Sequence, residues 1–190
     1  MGEPLTTTDL TNQFLIAMPD MADPNFGGTV VFLAEHSSRG ALGLVINRPM
    51  EIDLATLFER IDLKLGIAPL AQSPVFFGGP VQMDRGFVLH EPIGDWNSTV
   101  PVGNELGLTS SKDVLEAVAS GGGPKRMLVT LGYAGWGPGQ LEEEISRNAW
   151  LTVPASVELI FDTPVEQRFT AAFRLLGIDP VFLASSAGHA

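Results

Sequence analysis

Few residues in this chain have side chains suited to chemistry, and their positions suggest what that chemistry would be. The histidines are His36, His90 and His189. An imidazole titrates near neutral pH, so His90 is a candidate general acid–base. Arg48, in Asn47-Arg48-Pro49, and Arg85, in Asp84-Arg85-Gly86, could hold an anionic substrate through paired hydrogen bonds. The simpler expectation is that each arginine pairs with an acidic residue of its own chain, Asp84 being one. His90-Glu91 lacks the second histidine of a zinc-protease helix, and Pro92 prevents that helix from continuing. His36 and His90 both end expected strands and could converge, but two histidines without a third ligand make no metal site. A hydrogen-bonded strand-end histidine is the simpler reading. There is no Gly-x-Ser-x-Gly elbow, so that type of hydrolase is unsupported. No metal and no cofactor are expected.

The densest signal is Gly132-Tyr133-Ala134-Gly135-Trp136-Gly137-Pro138-Gly139-Gln140-Leu141, which holds the only tyrosine and one of 3 tryptophans. Strand, glycine loop and helix is the order of a phosphate cradle. The spacing of the glycines does not fit a dinucleotide fingerprint, and the loop lacks the lysine of a triphosphate binder. Glu142-Glu143-Glu144 already occupy the positive end of the helix dipole. A phosphate about 4 Å from one of them would meet roughly 4 kcal/mol of repulsion at an effective dielectric of 20. The simpler expectation is therefore a tight backbone turn whose glycines allow close packing; the alternative is a pocket or partner groove lined by Tyr133 and Trp136. Successive helical residues point about 100° apart, so the three glutamates make no metal site; Glu143 and Arg147 suit an i,i+4 surface pair.

Composition narrows the function classes. The 190 residues suit one domain, here taken as 1–190 with 1–9 and 185–190 flexible. Cysteine is absent, which removes disulfides, thiolate metal sites and cysteine nucleophiles. A net charge of −11 argues against direct nucleic-acid binding, and no window clusters Lys or Arg. No apolar run approaches the ~20 residues of a membrane helix, and no signal peptide is visible, so a cytoplasmic location is expected.

The positioning elements follow from periodicity. Strands are expected over Leu10–Met18, Thr29–Glu35 and Ala41–Asn47, the last two as a hairpin about Ser37-Ser38-Arg39-Gly40. Others are expected at Val75–Phe77, Gly86–His90, Trp96–Val102, Glu105–Leu108, Met127–Leu131, Trp150–Val153 and Val157–Phe161. Four helices are expected: one capped by Asp53, one opened by a Ser110/Asp113 capping box, one from Gln140, and one from Thr163-Pro164-Val165-Glu166. Strands and helices do not alternate regularly, so the fold class is α+β.

Taken together, several motifs are familiar. They are Thr11-Asn12-Gln13-Phe14-Leu15-Ile16-Ala17-Met18-Pro19, Gly43-Leu44-Val45-Ile46-Asn47-Arg48-Pro49, Phe77-Gly78-Gly79-Pro80-Val81, Leu89-His90, the Gly132–Glu144 stretch and Asn148-Ala149-Trp150. In order and across nearly the whole chain, they resemble the YqgE/AlgH family of bacterial proteins. The resemblance implies a cytosolic α+β protein with a mixed or antiparallel sheet, bifurcated or forming a small barrel, flanked by about four helices. It implies no established activity. Some members carry the label of transcriptional regulator, tied to alginate control.

Three functions remain in view. The first is a non-enzymatic regulatory or scaffolding protein that binds a protein or small ligand. Its surface would comprise Asn47, Arg48, Gly78, Gly79, Arg85, His90, Tyr133, Trp136 and Gln140. The second is an enzyme using His90 on an anionic substrate. The third is a regulator acting on nucleic acid.

Overall fold

The computed structural model describes residues 9–21 and 23–178. Apart from Asp9, the ends expected to be flexible lie outside that span, as does His189. The strands, in chain order, are β1 (Gln13–Ala17), β2 (Val30–Ser37), β3 (Gly40–Val45), β4 (Pro49–Asp53), β5 (Pro74–Phe77), β6 (Val81–Glu91), β7 (Val100–Val102), β8 (Leu106–Thr109), β9 (Arg126–Trp136) and β10 (Trp150–Pro154). The helices are α1 (Leu54–Arg60), α2 (Asp113–Ala119), α3 (Gln140–Ser146), α4 (Val157–Phe161) and α5 (Arg168–Leu175). The sheet runs β10-β1-β2-β3-β9-β6-β8-β7 and curls into a half-barrel, giving an α+β fold. Among the described pairings, every ladder is antiparallel except β5 against β9.

β1 and β2 are apolar on both faces because both faces are covered. Phe14, Ile16, Val30 and Phe32 enter one cluster, which α4 and α5 close with Leu159, Ile160, Ala172 and Phe173. Leu15, Ala17, Val31 and Leu33 enter a second cluster, with Trp136, Leu141 and Trp150. α1 and α2 cover a third cluster under Val75, Val88 and Val129.

β9 is the strand on which the sheet divides. Its first half lies between β6 and β5: Thr130 faces Phe87 on one side and Phe76 on the other. Its second half pairs with β3 through Ala134, Gly135 and Trp136. At the fork, the Gly78 N–H donates to the Leu131 carbonyl at 2.8 Å, and the Gly78 carbonyl accepts from Val45 N–H at 2.8 Å. Alternation along β9 also changes phase here. Leu128 faces the first cluster and Val129 the third, whereas beyond the fork Tyr133 faces the first and Ala134 and Trp136 the second. One residue must be bulged out to change parity, and Gly132, at φ +77°, is that residue. A Cβ on Gly132 would sit 2.3 Å from the Gly79 carbonyl oxygen.

Several expectations change. Gly132 to Trp136 is strand, not loop; only Gly137-Pro138-Gly139 turns the chain into α3. The glycines at 132 and 135 permit bulge and close approach rather than ending the strand. Val157–Phe161 is helix α4, because the Ser156 hydroxyl caps it by accepting from Leu159 N–H at 3.2 Å. The Ser110/Asp113 capping box does not form. The Ser110 N–H donates to the Ser98 hydroxyl instead, and Asp113 accepts from Asn97 N–H at 2.8 Å. Thr163-Pro164 leads into a 3-10 turn, and α5 begins only at Arg168. Among the described residues there are five α-helices, α4 being the one not expected as a helix, and β4 was not anticipated. Asp53 caps α1 as expected: its Oδ1 accepts from Thr56 N–H at 2.9 Å, which holds its carboxyl below the usual carboxylate range.

Candidate functional site

The nine residues singled out by sequence do not assemble into one site. His90 is fully buried on β6. A carbonyl oxygen can only accept, so Nδ1–H donates to the Pro92 carbonyl at 3.0 Å. Nε2 is then the bare nitrogen and accepts from the Thr109 hydroxyl at 2.7 Å; Thr109 in turn accepts from Thr99 at 2.7 Å. Trp96 packs edge-on against the ring, with centroids 5.0 Å apart. Burial pushes the His90 imidazole below its ordinary pKa, against a smaller opposing effect of the Pro92 bond. Both ring nitrogens are occupied and the residue is closed to solvent, so His90 does not present a free nitrogen at a surface.

The arginines are also occupied by their own fold. Arg48 donates from Nη1 to the carbonyls of Pro24, at 3.1 Å, and Asn25, and from Nη2 to that of Gly27 at 2.7 Å. Asn47 completes the clamp on this loop, accepting from Val30 N–H and donating to the Gly28 carbonyl, both at 2.9 Å. Arg85 lies 5.2 Å from the centre of the Phe87 ring and donates to Ser110 at 3.2 Å. Among the described residues neither arginine forms an ion pair, so the expected acidic partners, Asp84 included, are not the ones used. Backbone carbonyls and an aromatic face meet the guanidinium instead.

His36 and His90 do not converge. The Leu10 N–H donates to His36 Nδ1 at 3.0 Å, so Nε2 carries the proton and donates to Glu142. The remaining glutamates at the start of α3 are similarly occupied. Glu143 pairs with Arg147, as its spacing predicts. Glu144 Oε1 accepts both indole N–H groups, Trp136 at 3.0 Å and Trp150 at 2.9 Å, and Oε2 accepts from Gln140 at 2.9 Å. Gln140 reaches back to accept from Gly137 N–H at 2.9 Å. Trp136, 7% exposed, is thus chiefly a core residue.

The fork leaves one feature open to solvent. Gly78 and Gly79 pack against Gly132 and Tyr133, bringing two of the glycine motifs together. Beside them runs a groove of about 580 Å³ lined by Glu35, Arg39, Leu42, Val81, Tyr133 and Gly135. Tyr133 is half-buried, edge-on to Phe87 at 5.7 Å. Glu35 and Arg39 are exposed, and among the described residues neither side chain has a hydrogen-bond or ion-pair partner. Met83, half exposed, sits over Gly132 at the rim. Sequence reasoning singled out Tyr133 but not Glu35 or Arg39. Glu35 did carry a signal: it is the charged residue that ends the apolar run Val30 to Ala34 of β2. Among the described residues no group of His, Asp and Glu is arranged to hold a metal.

A half-barrel that forks at a glycine bulge, with a groove beside the fork, defines an α+β protein of curled-sheet type. The AlgH-like family model (DUF179) matches residues 14–181, and the chain belongs to that family. UPF0301 protein RSc0675 of Ralstonia nicotianae is 65% identical over 190 residues, 100% of each chain. UPF0301 protein Bcep1808_0798 of Burkholderia vietnamiensis is 65% identical over 192 residues, again 100% of each. The solution structure of the AlgH protein from Pseudomonas aeruginosa is similar at a TM-score of 0.80 and 49% identity, with both chains covered 100%. Protein DIP2367 from Corynebacterium diphtheriae, 20% identical with a TM-score of 0.70 over 91% of this chain and 87% of its own, shares the fold. Among the described residues no helix is long and apolar enough to cross a membrane.

Proposed function

We propose that this protein is a non-enzymatic recognition protein of the cytoplasm that binds a protein partner along the groove beside the β9 fork. The observation that carries this reading is the contrast between Tyr133 with Glu35 and Arg39, which remain available at the surface, and His90 with Arg48, which are engaged internally. A partly buried aromatic flanked by one acid and one base suits a peptide surface, which offers apolar groups and both charges. It suits a phosphate chain poorly, because Glu35 and a net charge of −11 oppose the approach of an anion. A regulatory role would then be exercised through the partner rather than by direct contact with DNA.

The test is affinity purification from the native cell with wild type and with a Tyr133→Ala/Arg39→Glu variant, compared by quantitative mass spectrometry. The variant is expected to remain folded and to lose the partner enriched by the wild type. Identical partner sets from both would refute the reading.

A further inference from the structure

A second opening lies away from the groove, where β5 and the first half of β9 meet the chain around α4 and α5. It is a cleft of about 500 Å³, a size typical of small-molecule sites. Its walls are largely apolar and include Phe76, Leu128, Ile160 and Val165. Among the charged residues that line it, one is buried. Arg168 is 6% exposed, the only charged side chain buried to that degree among the described residues. Four residues before Ala172, it stands on the buried stripe of α5, where an apolar residue would be the ordinary choice.

Among the described residues no carboxylate pairs with Arg168. Nε donates to the Thr163 carbonyl at 2.9 Å and Nη1 to the Ile46 carbonyl at 2.5 Å. The guanidinium carbon lies 5.2 Å from the centre of the Phe76 ring. Among the described residues it forms no ion pair. Nη2 has no hydrogen-bond partner among them either, and Arg168 lines the cleft. The acids nearby do not neutralise it. Asp162 lines the cleft but accepts from Arg126 Nη1 at 3.0 Å. Glu166 acts on the guanidinium only beyond ion-pair distance. Lys125, on the wall and exposed, adds a second positive charge. A buried guanidinium is expected to be paired, and arginine does not escape by losing its proton.

We infer that this cleft binds a small amphiphilic carboxylate: the head group meets Nη2 of Arg168 with Lys125 at the mouth, and the apolar body lies against Phe76, Leu128 and Ile160. This site is independent of the Tyr133 groove, and its failure would leave that groove untouched.

Octanoate is the probe, with octanol as the uncharged match of equal chain length. Titration of the full chain is followed by backbone amide shifts. Octanoate is expected to give saturable shifts concentrated at Met127–Val129 and Ile160–Thr163, and to bind at least about tenfold more tightly than octanol, the scale of one lost charge-assisted hydrogen bond. Arg168→Lys should remove most of that preference while leaving octanol unchanged. Should Arg168→Lys fail to fold, Val165→Trp, which narrows the cleft and spares the arginine, should abolish the octanoate shifts. Equal affinity for the two probes, or octanoate shifts that are absent from the cleft or unaffected by Val165→Trp, would overturn the inference and leave Arg168 as a clamp between Thr163 and Ile46.

Discussion

At the scale of single residues, polarity in this protein is largely used to hold the chain together. His90 makes a testable statement about pH. The unfolded chain accepts a proton on this histidine near pH 6.5, whereas the folded ring is held neutral to lower pH. The folded-state value is lowered, so the stability His90 contributes is present above about pH 6.5 and is lost as pH falls from there through the lowered value. Urea midpoints measured between pH 7.5 and 5 should therefore decline for the wild type, and the decline should be shallower in His90→Gln. Arg48→Ala should cost about 2–4 kcal/mol, since three backbone carbonyls lose charge-assisted donors. Amide exchange should accelerate at Asn25 to Gly28, the segment those bonds fix. Glu144→Leu should leave two indole N–H groups without their acceptor, at about 2–4 kcal/mol, and shift the tryptophan emission.

At the scale of elements, the fork in β9 follows from one glycine. Gly132→Ala must place a side chain in a left-handed conformation and against the Gly79 carbonyl. We expect a loss of more than about 3 kcal/mol, equivalent to about 6–12 °C in melting temperature for a chain of this size. A thermal melt within a degree or two of the wild type would contradict this account of the fork. Much of this level was legible in the sequence. The strand expected over Thr29–Glu35 is found as β2, and the helix expected behind an Asp53 cap is α1. The failures share a cause. Gly132 to Trp136 looks like a loop because local composition cannot distinguish a glycine that ends a strand from one that lets two strands touch. Val157 to Phe161 is five residues, four of them apolar, too short for its period to decide between strand and helix.

At the scale of the whole molecule, three apolar clusters are divided by one curled sheet, and β9 contributes to all three. The strand that organises the core therefore also places Tyr133 at the surface between Val81 and Leu42. The candidate site was only partly legible. Tyr133, Gly78 and Gly79 were visible as motifs and do come together, but Glu35 and Arg39 belong to the groove only because β2 and β3 pair beside β9. His90 and Arg48 looked chemical because their types are, and sequence offers no measure of how many of their hydrogen bonds are already made. The recognition reading is tested most directly by a photo-crosslinking residue placed in turn at Arg39, at Val81 and at Glu116, which is exposed on α2, in the native cell. The account predicts that positions 39 and 81 capture the same protein and that position 116 does not. Capture from position 116 with none from 39 or 81 would contradict it.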